Sequence, residues 1–293
     1  GKHFIPFDPA WAAVVKLAAD GQATAGDLAQ DVTGSNIVSL FNNPSSDVNT
    51  TNAIIYDSDG SATDALFGIG ASDSILGFAS LLVLTSDGTR NLITRARAFL
   101  NGKFIDGITP TEISQDKFKE AFIHEFGHFS GLDHSQINVE VLSASQRTTD
   151  NLAGLPNMFP FLLSTAPARP SLAPDDIAAI SELYPDPSFA STTGRIRGQI
   201  FFSDGTTPAQ GFNVIARQVD NMVTPENESK RIAVSSVSGF KFTACAGNPV
   251  AGDCGSISTR GSRDQTLIGL YDIPGLPPGS YTVEVEAINP QFT

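Results

Sequence analysis

Hydrophobic and polar positions follow two regimes along the chain, and they change over near residue 195. Before that point helix-spaced and strand-like segments mix. Residues 10–19 (AWAAVVKLAA) predict a helix, with Pro9 at its start and Gly21 beyond its end. Residues 53–56 (AIIY), 78–84 (FASLLVL) and 93–100 (ITRARAFL) predict strands, set off by the turn-forming stretches DSDGS and TSDGT. A helix is expected over 115–130, opened by Ser114. The segment 143–172 has no clear period and carries several prolines, which predicts a long loop. Pro174-Asp175-Asp176 then opens a last helix, because proline suits the first helical position and acids suit the positive end of the helix dipole. Its apolar stripe is Ile177, Ile180, Leu183 and Tyr184, and Pro185 stops it.

From Arg195 onward the segments RIRGQIFF, FNVIARQV, KRIAVSSV, QTLIGLYDI and SYTVEVEAI are short, alternating or β-branched. Turns of SDGTTP and PGLPPG type separate them, and no helix pattern appears. They predict a separate all-β sandwich of roughly 100 residues. The stretch 184–194 is rich in Pro, Ser and Thr and reads as the junction. The expected organisation is a mixed α and β domain over 1–187, a linker over 188–194 and a β-sandwich over 195–293. A length of 293 residues suits two domains, and 41% hydrophobic residues suffice for packed cores.

A formal net charge of −13 argues against nucleic acid and anionic membrane surfaces as partners, since both need clustered cations. No apolar run approaches the ~18 residues needed to span a bilayer. No secretory signal pattern opens the sequence; in an exported protein such a signal would already have been removed. Cys245 and Cys254 flank the loop-like segment AGNPVAGD. A local disulfide in an oxidising compartment is one reading, and two unpaired thiols in a cytosolic chain is the other. With no His or further Cys nearby, a metal site there is not expected.

The chemistry concentrates in His124-Glu125-Phe126-Gly127-His128-Phe129-Ser130-Gly131-Leu132-Asp133-His134. On a helix, His124 and His128 stand one above the other on one face. Glu125 lies one residue round, able to reach a metal-bound water without being a ligand. Gly131 ends the helix in a left-handed conformation that costs it no Cβ clash. The chain then turns and presents His134 as a third nitrogen. Three His with one open position is the catalytic style of zinc site. The chain has only four His, and chance would place three of them in this register with the Glu and Gly roughly once in 10⁵ such chains. Phe118, Phe122, Phe126 and Phe129 recur at helical spacing and predict a buried stripe. Ala121, His124, His128 and Gly131 form the neighbouring stripe that faces the metal.

The pattern HExxHxxGxxH followed by a methionine turn is similar to the metzincin signature. The wording from His128 to Ser135 resembles the matrixin branch. Leu155-Pro156-Asn157-Met158-Phe159-Pro160 resembles the matrixin Met-turn, and Asp175-Asp176-Ile177 through Leu183-Tyr184 resembles its closing helix. The resemblance implies an α+β (α/β) catalytic domain built from a twisted mixed sheet and three helices. It implies zinc on His124, His128 and His134, Glu125 as general base, and Met158 as an apolar floor beneath the metal. A polypeptide substrate would lie extended and antiparallel to an edge strand, by order the strand 78–84, with 93–100 one strand further in. Two departures stand out. Pro160 occupies the place where astacin- and serralysin-like members carry a Tyr, and no Cys precedes residue 245 to act as a prodomain switch.

Asp57-Ser58-Asp59-Gly60-Ser61-Ala62-Thr63-Asp64 alternates acids around a Gly turn. A calcium loop with Asp57, Asp59 and Asp64 as ligands is one reading, as in extracellular matrixins, and a solvated acidic turn is the other. The full EF-hand register is missing. Gly198 and the wording from Tyr271 to Tyr281 resemble carboxypeptidase regulatory-like, prealbumin-type sandwiches, which implies a stabilising or adhesive appendage. Together these readings point to a secreted or cell-surface monomeric zinc endopeptidase. A zinc-fold surface or matrix binding protein without turnover, and a metal-dependent amidase acting on non-protein amides, use the same residues.

Overall fold

The computed structural model describes residues 15–18, 31–86, 91–108, 112–164, 166–239 and 266–289. They form two compact units, one ending at Gly131 and one running from Leu132 onward. In chain order the first contains β1 (Val15–Ala18), α1 (Ile37–Asn42), α2 (Asp47–Thr50), β2 (Asn52–Asp57), α3 (Ser61–Phe67), β3 (Gly77–Ser86), β4 (Asn91–Asn101) and α4 (Gln115–Phe129). The sheet order is β1-β2-β4-β3, with β2 parallel to both β1 and β4. The expected strands 53–56, 78–84 and 93–100 are therefore present, and β3 lies at the sheet edge with β4 next in. Alternation explains the core. Ala53 and Ile55 of β2 share one face and are buried with Ile37, Leu40, Val48, Ala62 and Phe99.

The helix expected at 10–19 is corrected. Val15–Ala18 form a strand aligned with Asn52–Ile55, and the rest of that segment lies outside the described residues. Pairing with a sheet overrides the helix preference of the Ala-rich sequence, because intrinsic propensity is a weak term beside tertiary contact. The first unit also carries the short helices α1, α2 and α3, which have no strong period in sequence.

The second unit contains α5 (Thr149–Ala153), α6 (Pro174–Leu183), α7 (Phe189–Thr192), β5 (Gly194–Gln199), β6 (Phe212–Gln218), α8 (Glu228–Arg231), β7 (Ala233–Val237), β8 (Leu270–Leu276) and β9 (Tyr281–Ala287). The five strands form two small antiparallel sheets, β5-β8 and β7-β6-β9. The described chain is thus mixed α and β with eight α-helices and several sheets; six of those helices lie within 1–187, where three were expected. Helices α7 and α8, each one turn long, interrupt the linker and the region read as purely β. Cys245 and Cys254 lie outside the described residues.

Two further expectations change. The stretch 143–172 is not structureless: it holds α5, and Val141, Leu155, Phe159, Leu163 and Ala166 bury together. On α6 the apolar stripe is buried only in part: Ile180 and Leu183 are half-buried against Leu132, Met158 and Ala179. Asp175, Asp176, Ala178 and Ala179 are buried, whereas Ile177 is 47% exposed. Ala178 joins a core with Val214, Ala216, Val234, Ile273 and Leu276. Small residues let α6 approach the strands closely, which a larger side chain at 178 would prevent.

Backbones also meet closely at Gly154, where a Cβ would lie 1.8 Å from the Lys230 carbonyl oxygen. Gly154→Ala should therefore separate α5 from α8 and destabilise the protein by about 1–3 kcal/mol, the usual range for overpacking. Chemical denaturation should read this as a lower midpoint with an unchanged slope.

Candidate metal centre

Helix α4 is opened as expected. The Ser114 side chain accepts a hydrogen bond from the Lys117 N–H (3.2 Å), and Asp116 sits in the first turn. The expected phenylalanine stripe is buried only in part: Phe129 is buried and Phe118 half-buried. Lys117, Glu120, Ala121, Gly127 and Phe129 are buried, whereas Phe122 and Phe126 are exposed. Phe122 stacks on Phe126, and Phe126 on Phe129, with centroids 5.9 and 5.2 Å apart. The aromatic rings cover one another along a half-open face, and the helix turns its smaller residues inward. Lys117 and Glu120 form a buried ion pair on that inward side (3.1 Å). Successive members 117, 120, 121, 124, 127 and 128 keep the three- and four-residue spacing of one helical face.

His124 and His128 share that face. Their Nε2 atoms lie 3.1 Å apart, with the rings nearly perpendicular. Gly131 ends the helix with φ +94°, the left-handed conformation its place in the sequence called for. Three residues later His134 completes the group. One ring nitrogen from each of His124, His128 and His134 lies within 4.8 Å of the others, close enough to hold a metal ion. Two ligands at ~2.0–2.1 Å from a tetrahedral zinc are about 3.3 Å apart, so the His124–His128 spacing suits that coordination. Among the described residues no other set of three or more His, Cys, Asp or Glu side chains comes this close.

Glu125 points elsewhere on α4. A Cβ at Gly77, the first residue of β3, would lie 2.9 Å from Glu125 Cγ and 2.8 Å from the Phe99 carbonyl oxygen. Gly77 therefore lets the Glu125 side chain lie against the start of the edge strand. The strand start is itself fixed: the Asn101 N–H donates to Leu76 O (2.9 Å), and the Asn101 side-chain amide donates to Ser72 O and Ile75 O. Burial pushes the Glu125 carboxyl up to about 8. A bound dication would act in the opposite direction.

Met158 is buried with Leu132 and Ala179. Its turn is held by a residue that the sequence reading took only as a dipole complement. The fully buried Asp176 carboxylate accepts from the backbone N–H groups of Asn157 (2.7 Å), Met158 (3.1 Å) and Ala173 (3.1 Å). The Ser135 N–H in turn donates to Met158 O (2.8 Å). Hydrogen-bond demand at residues 157–158 could not be read from sequence; the acid pair at 175–176 was the only visible trace.

The acidic turn at 57–64 serves the start of α3. Asp57 is buried, and its carboxylate accepts from Ala62 N (3.2 Å), Thr63 N (2.8 Å) and Thr63 Oγ1 (2.7 Å), so it satisfies the free N–H groups at the start of α3. Asp59 accepts from Ser61 N and Asp64 from Ser72 N. Hydrogen bonds from Ser61 lower the Asp59 pKa, and the Ser72 N–H lowers that of Asp64. Among the described residues these three carboxylates are not among the groups whose ligand atoms lie within 4.8 Å of one another.

Comparison with protein-family models, with curated proteins and with solved structures finds no match for the chain. The site must be argued from its own residues. Among the described residues no helix is long and apolar enough to cross a membrane.

The raised Glu125 pKa makes a prediction for the metal-free protein. Folded Glu125 holds its proton up to about pH 8, whereas an unfolded one loses it near the ordinary glutamate value of 4.5. The native state then binds more protons between those pH values, so this group's contribution is fully present below about 4.5 and is lost as pH rises through about 8. Thermal unfolding of chelated wild type and Glu125→Gln across pH 4–9 should show the wild type losing stability relative to the variant as pH rises. Parallel curves would contradict the burial of this carboxyl.

Proposed function

We propose that the protein is a secreted or cell-surface zinc-dependent endopeptidase of metzincin, matrixin-like type, with a β-sandwich at its C-terminal end. The observation that carries this reading is the convergence of the His124, His128 and His134 ring nitrogens, two of them on consecutive turns of the helix that also bears Glu125. Three neutral nitrogen donors suit zinc better than the hard cations, which favour oxygen. The donor set leaves a coordination position for water, the mark of a catalytic site.

His124, His128 and His134 would hold the zinc, which when bound would supply a Lewis acid able to bring the pKa of water to about 7 and to polarise a scissile carbonyl. The protein does the rest. Glu125 takes the proton from the attacking water and delivers it to the leaving amine, so the carboxylate ends each turnover as it began. Its poor hydration makes it a stronger base than an exposed glutamate. Gly77 keeps the start of β3 clear for that side chain. The edge strand β3 offers unpaired backbone groups along which an extended polypeptide can add as a further strand. Gly131 and the turn after it bring His134 round to the other two nitrogens.

Protein purified without added zinc should hold about one equivalent, and a chelator should abolish digestion of casein or gelatin. Glu125→Gln should keep the metal, because no ligand is lost, while peptide turnover falls by at least ~10²-fold, the lower range for removal of a general base. Digestion by the zinc-loaded Gln variant at the wild-type rate would overturn the assignment. Zinc binding without any hydrolysis by wild type would favour the binding-protein reading instead.

A further inference from the structure

The segment that follows His134 is moored, residue by residue, to the C-terminal strands. Ser135, Gln136, Ile137 and Asn138 are all 2% exposed or less. Gln136 exchanges two hydrogen bonds with the Asn289 backbone (2.9 and 2.8 Å). Ile137 packs against Ile215 of β6 and Ala233 of β7. The Asn138 side chain accepts from Arg217 Nη1 (2.8 Å) and donates to Lys230 O (2.9 Å). Ser135 reaches β7 through a third residue. Its hydroxyl donates to Asp175 Oδ2 (2.6 Å), and Asp175 Oδ1 accepts from the Ser235 N–H (2.8 Å) and from the Ser235 hydroxyl (3.3 Å). Asp175 is itself buried.

We infer that Asp175 is a positioning residue for His134, through which strand β7 fixes the loop carrying the third nitrogen ligand, so that the C-terminal strands are part of the metal centre rather than an appendage to it. The inference rests on the zinc-site reading above. Its physical basis is the cost of desolvation. A buried carboxylate must keep its donors, and here one comes from the residue next to His134 and another from β7. Moving either element alone takes donors away from one oxygen of a buried charge. His124 and His128 need no such device, since one helix spaces them. His134 stands beyond Gly131, where no helix hydrogen bonds fix its position. Groups outside the ligand set that orient ligands typically contribute 10–100-fold to metal affinity.

The test uses the full chain and cobalt(II), whose absorption reports both binding and coordination geometry. Ser135→Ala cuts the link beside the ligand. Ser235→Pro cuts it at the far end: Ser235 lies on β7, at the edge of its three-stranded sheet, and its N–H points to Asp175 rather than to β6. Each variant should bind cobalt about 10-fold more weakly while circular dichroism shows it folded. The double variant should lose no more than the worse single, because both break one chain of contacts. Should the proline variant fail to fold, Ser135→Ala, which removes the Ser135–Asp175 hydrogen bond, carries the test alone. A merely structural carboxylate would lower the melting temperature of the chelated protein and leave the cobalt affinity of the folded protein unchanged; that result overturns the inference and spares the zinc site. Wild type that takes up no metal overturns the zinc-site reading as well.

Discussion

A carboxylate removed from water has to be surrounded by donors, and two adjacent ones at the start of α6 organise the unit that begins at Leu132. Asp176 gathers three backbone N–H groups from the Met158 turn and from its own helix start. Asp175 gathers Ser135 on one side and Ser235 on the other. Each replaces water with hydrogen bonds of fixed direction, so the chain segments that supply those donors cannot drift independently. Helix α6 is thus a fastening point, and its small residues Ala178 and Ala179 let it sit deep enough to serve as one.

Helix α4 meets a different constraint. One face must carry two imidazoles, tolerate a buried Lys117–Glu120 pair and leave Glu125 against β3. Bulky aromatic residues on that face would fill the space the ring nitrogens need. Phe122 and Phe126 therefore stack along the half-exposed side, and Phe126 covers the buried Phe129. Burial of Glu125 is the cost and the use of this arrangement. A carboxyl that resists ionisation is destabilising to the metal-free fold near neutral pH, and it becomes an effective proton acceptor beside a dication.

The acidic turn at 57–64 shows how one sequence pattern supports two chemistries. Alternating acids around glycine satisfy either a cation or the orphan N–H groups at a helix start. The structure uses Asp57 for the second purpose, because Ser61 begins a helix whose first donors point at it. Helix α3 is only seven residues long and has no strong hydrophobic period, so its start could not be located from sequence.

What the sequence determined by itself was local. The spacing of His124, His128 and Gly131 depends on helix geometry, which is the same in every protein, and the turn after Gly131 follows from the absence of a Cβ. The start of α4 at Ser114 and the strands around residues 55, 80, 97 and 215 likewise follow from capping chemistry and alternation. Tertiary structure decided everything that depends on what a residue meets. It made 15–18 a strand, because an edge of β2 was available to pair with it. It turned Phe122 and Phe126 of α4 half outward and the acids of α6 inward. It tied the residues after His134 to strands some 80 to 150 positions further along the chain. Periodicity reports only which face of an element is apolar. The donors that reward burying Asp175 and Asp176 come from distant segments, and no local pattern can announce them.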